Sequence, residues 1–185
     1  HLVDPAPYSE NGNYQKVSQR LTEKLKQEEK VSVIWAGQFE NEANYKIHQS
    51  TTALEIFNQT NGAIDGFTCS IGTGGTLTGV SLGLKEKNSK IKIACTDSQG
   101  SSMYNYFVNG TLKKRGEPSI TEGIGQARIT KNLERCSVDM SYYVSDYECM
   151  EILYKMVKTE GLFLGLSSGV NVIGAIKMAK ELGPG

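Results

Sequence analysis

The chain has 185 residues, of which 38% are hydrophobic and 22% are charged, and its 20 basic and 20 acidic residues give a formal net charge of zero. This length and composition are typical of a chain that buries a core and not of a disordered one. The balanced charge disfavours binding to a nucleic-acid backbone or an anionic membrane surface, and no apolar run approaches the roughly 20 residues that a bilayer span needs.

Apolar patterns divide the first half of the chain into alternating helices and strands. Apolar residues recurring at intervals of about three and four predict helices over 13–30 and 43–59. Between them, the short apolar run at 31–36 predicts a buried strand. A second strand is predicted over 64–71, and a glycine cluster leads from it directly into a helix over 76–87.

The second half of the chain continues the alternation. Its predicted elements are a strand over 91–96, loops and short helices over 98–135, a strand over 142–145, a helix capped by Asp146 and running to 159, a strand over 162–166 and a helix over 171–182. Strands that alternate with helices in this way predict an α/β, three-layer αβα fold around a mostly parallel sheet. Functional loops in such sheets gather beyond the carboxyl ends of the strands.

The first glycine loop is Gly72-Thr73-Gly74-Gly75-Thr76, between a predicted strand and the helix that follows it. Consecutive amides without neighbouring Cβ atoms can point into one concavity, where the positive end of the helix dipole also lies. Such an arrangement favours a dianionic phosphate as its ligand. A tight turn alone would need only one glycine, so a purely structural role is disfavoured. The loop matches neither the Walker A nor the GxGxxG pattern.

The second glycine loop is Gly165-Leu166-Ser167-Ser168-Gly169, again between a predicted strand and a helix. Ser167 could present its hydroxyl to a bound ring, but a serine here could equally cap the helix, and the loop alone favours capping. Gly165, Ser167 and Gly169 also satisfy the GxSxG outline of a hydrolase elbow. A hydrolase is disfavoured because no histidine follows Ser167, which makes the usual order of serine, acid and histidine impossible.

The four cysteines, Cys69, Cys95, Cys136 and Cys149, form no CxxC pair and no zinc-like spacing with the two histidines. The sequence therefore predicts no metal site. Cys69 and Cys95 lie inside predicted strands, which favours buried free thiols in a reducing compartment. The surroundings of Cys136 and Cys149 do not indicate a lowered thiol pKa, so a reactive role is disfavoured for them too.

A third glycine loop, at 122–126, could by itself be a surface turn, but the three loops in this order resemble one family. They resemble the cysteine synthase branch of the pyridoxal-phosphate enzymes with the tryptophan synthase β fold type, also called fold type II. The matching segments are GTGGTLTG from Gly72, EGIGQ from Glu122, EGLFLGLSSG from Glu160, and GQFENEANYKIHQSTTALEI from Gly37. TDSQGSSMYN, from Thr96, is similar to the fungal members. The resemblance runs from near Gln38 to the end of the chain.

The resemblance implies a role for each matching position. The cofactor would be pyridoxal 5′-phosphate, with its phosphate held by Gly72, Thr73, Gly74, Gly75 and Thr76. Ser167 would hydrogen-bond the pyridine nitrogen, and Gln38 and Gly123 would lie beside the substrate. A neutral hydroxyl leaves that nitrogen largely unprotonated, which suits elimination of a β leaving group.

The activity that the resemblance implies is β-replacement, which forms L-cysteine from O-acetylserine and sulfide in amino-acid biosynthesis. Cystathionine synthesis, serine or threonine deamination, and a catalytically silent fragment that binds a partner remain alternatives, and the natural leaving group and nucleophile stay open. Family members are commonly homodimers and some bind serine acetyltransferase. The implied partner is otherwise a small amino-acid substrate and not DNA or RNA, in the cytoplasm or a mitochondrion.

The chain also departs from the family pattern. Asn41-Glu42-Ala43-Asn44 stands where the family usually has Asn-Pro-Ala-Asn. Family members carry a Schiff-base lysine and a Thr-Ser-Gly-Asn-Thr-type substrate loop upstream, and neither motif occurs here, so the resemblance assigns no catalytic residue to this chain. We expect the natural polypeptide to be longer or to have lost its upstream part. Residues 1–37 would then end the small mobile domain, and 38–185 would form most of the large cofactor-binding domain.

Overall fold

The computed structural model describes residues 2–28 and 32–184, which form two compact units divided between Asn41 and Glu42. In the first unit, helix α1 (Tyr14–Glu28) agrees with the predicted helix over 13–30 as far as it is described. The predicted strand over 31–36 is wrong for residues 32–36, which form neither helix nor strand; residue 31 lies outside the described residues. Ile34 is 88% exposed. An apolar run becomes a strand only beside another strand, and the described part of this unit contains none.

The second unit begins with a helical segment interrupted by a wider turn. It consists of α2 (Ala43–Ile47), a π-helical turn (His48–Thr52) and α3 (Ala53–Gln59). The predicted helix over 43–59 is therefore confirmed, although two of its large apolar residues are not in the core, because Ile47 is 54% and Leu54 is 41% exposed. Tyr45 and Ala53 are buried instead. A π-helical turn contains an extra residue, which rotates the apolar face away from its regular helical spacing.

The sheet has three parallel strands in the order β1–β2–β3. They are β1 (Gly66–Cys69), β2 (Lys92–Ser98) and β3 (Met140–Val144). Every residue of the central strand β2 after Lys92 is buried. A strand covered on both faces tends to have a near-continuous apolar run in its sequence, and the run at 93–95 made this strand easy to predict.

Helices cover both faces of the sheet. They are α4 (Gly75–Lys87), α5 (Met103–Asn109), α6 (Asp146–Glu160) and α7 (Leu166–Leu182). Ile93 and Cys95 of β2 belong to the main core cluster with residues of α4 and α5. Ala94, between them in sequence, packs with Met178 of α7 on the opposite face. The predicted three-layer αβα fold with a parallel sheet is therefore confirmed.

Helix α6 begins with a different cap from the predicted one. Ser145 is the N-cap residue, because its hydroxyl accepts a hydrogen bond from the Glu148 amide while the Glu148 carboxylate accepts one from the Ser145 amide. This reciprocal pair is a capping box. Asp146, the predicted cap, is the first helical residue, and its carboxylate accepts hydrogen bonds from Ser119 and Ile120 instead.

The strand predicted over 162–166 is also wrong. Residues 162–165 form a loop, and α7 begins at Leu166, earlier than the predicted start at Asn171. Phe163 is 91% exposed. This apolar run pairs with none of the described strands, and without a ladder of hydrogen bonds its apolar character does not make it a strand. None of the described helices is long and apolar enough to cross a bilayer.

Candidate functional site

The first and third glycine loops meet at the carboxyl end of β1. The Gly125 amide donates a hydrogen bond to the Ile71 carbonyl at 2.8 Å. A Cβ placed on Gly72 would lie 2.8 Å from the Gly123 carbonyl oxygen. The two loops are therefore in backbone contact at the edge of the sheet where ligands bind in α/β folds.

The glycines of the first loop are required by close approach. Gly74 has a φ of 86°, in the left-handed region that favours glycine, and a Cβ there would overlap the Leu133 side chain. A Cβ on Gly75 would overlap the Asn44 side chain. Gly74 is also the N-cap residue of α4 and has no side chain to satisfy the first amides of the helix. The loop therefore presents backbone amides and the positive end of α4 to whatever binds there.

Both threonines of the loop contact the helical segment that begins at Ala43. The Thr73 hydroxyl oxygen accepts hydrogen bonds from Asn44 Nδ2 at 3.0 Å and from the Gly75 amide at 3.2 Å. Thr76 is exposed, and its Oγ1 lies 3.3 Å from His48 Nε2. From the other side, the Thr130 hydroxyl donates to the Thr73 carbonyl at 2.7 Å.

The second glycine loop is tied to the end of β1 by one side chain. Asn171 donates from Nδ2 to the Ser167 carbonyl at 2.8 Å and to Ser70 Oγ at 3.1 Å, and its Oδ1 accepts from the Ser70 amide at 2.8 Å. Ser167 lies in the first turn of α7, whose N-cap residue is Gly165. The predicted capping role of the serine pair is therefore wrong, because the helix starts before both serines. The hydroxyls of Ser167 and Ser168 therefore do not cap α7.

The structure brings most of the predicted site residues to one edge of the sheet. Residues 72–76 contact the loop of Gly123, and Ser167 is linked through Asn171 to Ser70, which precedes Gly72 by two positions. Gln38 belongs to the first unit, where it lies exposed in a turn. The functional roles given to these residues stay predictions.

Two asparagines that hold the loops were missed by the sequence interpretation. Asn171 is the only polar residue in the stretch GVNVIGAI, and this isolated polar position could have indicated an internal hydrogen-bonding role. Asn44 stands among polar residues and gives no such signal. Its contact with Thr73 spans 29 positions of the chain and becomes visible only in the fold.

A buried carboxylate at the end of β2 was missed as well. Asp97 is 1% exposed, and its Oδ2 accepts a hydrogen bond from the Tyr104 amide at 2.7 Å. Burial raises the pKa of Asp97 from 3.8 to about 6, against the lowering effect of its hydrogen bonds. Asp97 therefore titrates at a higher pH than an ordinary aspartate.

The cysteines have the opposite chemistry from reactive thiols. All four are free, and burial raises the pKa of Cys69 to about 12 and that of Cys136 to about 11. Burial also raises the pKa of the Cys95 and Cys149 thiols. Since the thiolate is the nucleophile, these residues are poor nucleophiles at neutral pH. Within residues 2–28 and 32–184, no three His, Cys, Asp or Glu side chains are grouped as metal ligands would be.

Comparison with known proteins finds a matching family and several similar sequences. The family model described as "Pyridoxal-phosphate dependent enzyme" matches residues 3–185. Cysteine synthase 1 of Emericella nidulans is 42% identical over 177 residues, which cover 94% of this chain and 46% of that protein. Cysteine synthase 1 of Neurospora crassa is also 42% identical, over 98% of this chain and 48% of its own length. The chain thus spans about half the length of the curated relatives it matches.

A solved structure shares the fold. The crystal structure of O-acetylserine dependent cystathionine beta-synthase from Helicobacter pylori aligns with a TM-score of 0.77 at 30% sequence identity. The alignment covers 98% of this chain and 56% of that one. The similarity therefore extends across nearly the whole chain and is not confined to the glycine loops.

Proposed function

The chain belongs to the pyridoxal-phosphate dependent enzyme family, and from that premise we propose that the protein catalyses β-replacement on O-acetylserine, with sulfide as the nucleophile. The product would be L-cysteine. The family and cofactor predicted from the three glycine loops are confirmed, whereas the substrates are part of the proposal. The observation that carries it is the meeting of these loops at the carboxyl end of β1, with the positive end of α4 among them.

The residues at this edge fit pyridoxal 5′-phosphate. Cβ atoms on Gly72, Gly74 or Gly75 would crowd or overlap neighbouring groups, so the backbone can surround an anion closely only because these positions are glycine. Residues 70–76 include no acidic side chain that would repel a phosphate. Asn171 ties the Ser167 carbonyl to the same strand end, and the hydroxyl of Ser167 suits the other end of an aromatic ring.

The chain's own residues would divide the work as follows. The amides of Gly72, Thr73, Gly74 and Thr76 and the Thr73 hydroxyl would bind the phosphate, and Ser167 would hold the ring nitrogen as a neutral partner. Gly75 would shape the same site, because its amide donates to the Thr73 hydroxyl oxygen. Gly123 and Gln38 would lie beside the amino-acid substrate. When bound, the cofactor supplies an electron sink for loss of the β substituent, and a neutral partner at its nitrogen keeps that sink modest.

The assembly and location of the protein belong to the same proposal. We place residues 1–37 in a small mobile domain and 38–185 in the large cofactor domain of a homodimer, with serine acetyltransferase as a candidate partner. The free, buried thiols support a reducing compartment, such as the cytoplasm or the mitochondrial matrix.

The direct test uses the purified complete gene product, loaded with pyridoxal 5′-phosphate. We expect O-acetylserine and sulfide to yield cysteine and acetate in equal amounts. Absence of cysteine, together with an unchanged visible spectrum on adding O-acetylserine or another β-substituted serine, would contradict the proposal.

Cystathionine formation is the second candidate. It is favoured by the similarity to the Helicobacter pylori structure, which is that of an O-acetylserine dependent cystathionine beta-synthase. Supplying sulfide and homocysteine together separates the two reactions. Cystathionine as the main product would favour the second candidate, and cysteine would favour the first.

A further inference from the structure

The Thr73 hydroxyl is held by two groups that donate to it. Its oxygen accepts one hydrogen bond from Asn44 Nδ2 at 3.0 Å and another from the Gly75 amide at 3.2 Å. A threonine hydroxyl has one proton and two acceptor lone pairs, so these contacts use both acceptor positions. The proton of Thr73 is therefore left to donate to a further acceptor.

Close packing fixes Asn44 beside this hydroxyl. A Cβ on Gly75 would overlap the Asn44 side chain, so glycine is what leaves room for the amide. Helix α2, which carries Asn44, packs so closely on α4 that a Cβ on Gly79 would overlap the Tyr45 carbonyl. The position of the Asn44 amide is therefore set by backbone approach and not by a flexible surface contact.

Thr76, the other threonine of the loop, has no comparable constraint. Its Oγ1 faces His48 Nε2 at 3.3 Å, and an imidazole nitrogen either donates or accepts according to its tautomer. Thr76 can therefore donate or accept, whereas Thr73 has only a proton to offer. Of the two threonine hydroxyls in the loop, only that of Thr73 is restricted to acting as a donor toward a ligand.

We propose that Asn44 is a positioning residue for the cofactor phosphate, because it orients the Thr73 hydroxyl as a donor toward a phosphate oxygen. This inference rests on the proposed function, which places the phosphate in the 72–76 loop. If Thr73 instead donated to Asn44, its lone pairs would face the phosphate and repel it. Asn44 acts through Thr73 and touches neither cofactor nor substrate.

The test measures binding without catalysis. Pyridoxine 5′-phosphate carries the ring and the phosphate but no aldehyde that could react with lysines, and pyridoxine lacks the phosphate. Isothermal titration calorimetry gives the affinity of the complete gene product for each, and every variant below is made in that protein. We expect Asn44→Ala to weaken binding of pyridoxine 5′-phosphate about fivefold, the effect of one ordinary hydrogen bond. Binding of pyridoxine should not change.

A double-mutant cycle separates this role from a merely structural one. Thr73→Val removes the hydroxyl and keeps the shape of the side chain. In that background we expect Asn44→Ala to cause no further loss of affinity, because the group through which it acts is gone. The near-isosteric Asn44→Asp goes through the same cycle in case the alanine variant does not fold. The loss of affinity caused by Asn44→Asp should be larger with the Thr73 hydroxyl present than without it.

The possible failures are distinguishable. Equal losses with and without the Thr73 hydroxyl would overturn the inference, as would an Asn44→Ala chain that binds as tightly as the unsubstituted one. If the unsubstituted chain binds pyridoxine 5′-phosphate no more tightly than pyridoxine, the phosphate site itself is wrong and the proposed function falls with it.

Discussion

The first and second glycine loops lie at the same end of the sheet but are held by different means. The first, residues 72–76, is fixed by its backbone, because added Cβ atoms would crowd or overlap the neighbouring loop, Leu133 and Asn44. The second, with the residues that lead to it, spans 162–169, and the Asn171 side chain ties it to the end of β1. A Cβ on Gly165 would meet no atom within 4 Å.

This difference shows what a glycine pattern can and cannot predict. Where glycines are needed for close backbone approach, their clustering in sequence indicates the shape of the site. In the second loop only Gly169 makes such an approach, because a Cβ there would crowd Cys149 and Leu153. Gly165 has open space around it, and the apolar residues before it predict a strand that does not form. Substitutions in and around the two loops test this difference.

The largest effect is expected from Gly75→Ala compared with Gly165→Ala. The Cβ on Gly75 would overlap Asn44, and overpacking of this kind costs about 3 kcal/mol in the free energy of unfolding. Gly165 has a φ of −75° and open space around it, so its substitution should be nearly neutral. Urea unfolding of both variants measures the difference, and equal destabilisation would remove the distinction between the loops.

The next prediction concerns Asp97 in the sheet and not the loops, and it is a dependence of the free energy of unfolding on pH. The pKa of Asp97 is raised from 3.8 to about 6 by burial, so the folded state binds its proton more tightly than the unfolded state. The resulting stabilisation is fully present below pH 3.8 and is lost as the pH rises through 6. Relative to Asp97→Asn, the unsubstituted chain should gain about 2 kcal/mol between pH 7 and pH 4.

The Asp97 measurement compares urea unfolding of the two chains at several pH values. The substitution leaves an acceptor for the Tyr104 amide, whose hydrogen bond now goes to the carboxylate. Parallel stability curves for the two chains would show that Asp97 titrates normally and is not buried as described.

A smaller loss in the free energy of unfolding is expected from Asn171→Ala, which removes the hydrogen bonds that link the second loop to Ser70. The partly buried Ser70 amide loses its partner, and leaving such a donor unsatisfied costs about 1 kcal/mol. Asn58→Ala, an exposed asparagine in α3, is the matched control and should change the free energy of unfolding little. An equally small change at Asn171 would mean that the second loop is held by other contacts.

The smallest effect is expected from Phe163→Ser. Phe163 is 91% exposed, and exposed substitutions usually change stability by no more than about 0.5 kcal/mol. Thermal unfolding measures this. A loss of several kcal/mol would indicate that residues 162–166 form the covered strand that their apolar sequence predicts.

The sequence was sufficient for the three strands of the sheet and for the position of the first loop, and insufficient where long-range contacts decide the structure. The central strand is covered on both faces, and its burial agrees with its prediction. The runs at 32–36 and 162–165 are also largely apolar but pair with none of the described strands, which local composition cannot reveal. Asn171 meets Ser70 across 101 positions, so its role depends on the completed fold.

The central claim is that the loop of residues 72–76, through its amides other than that of Gly75, holds a phosphate while Ser167 meets the far side of the same ring. A crystal structure of the chain with pyridoxine 5′-phosphate tests it most directly. We predict phosphate oxygens at hydrogen-bonding distance, about 3 Å, from these amides, and Ser167 Oγ at the ring nitrogen. A phosphate bound elsewhere, or packed side chains filling the space between the two loops, would contradict the account.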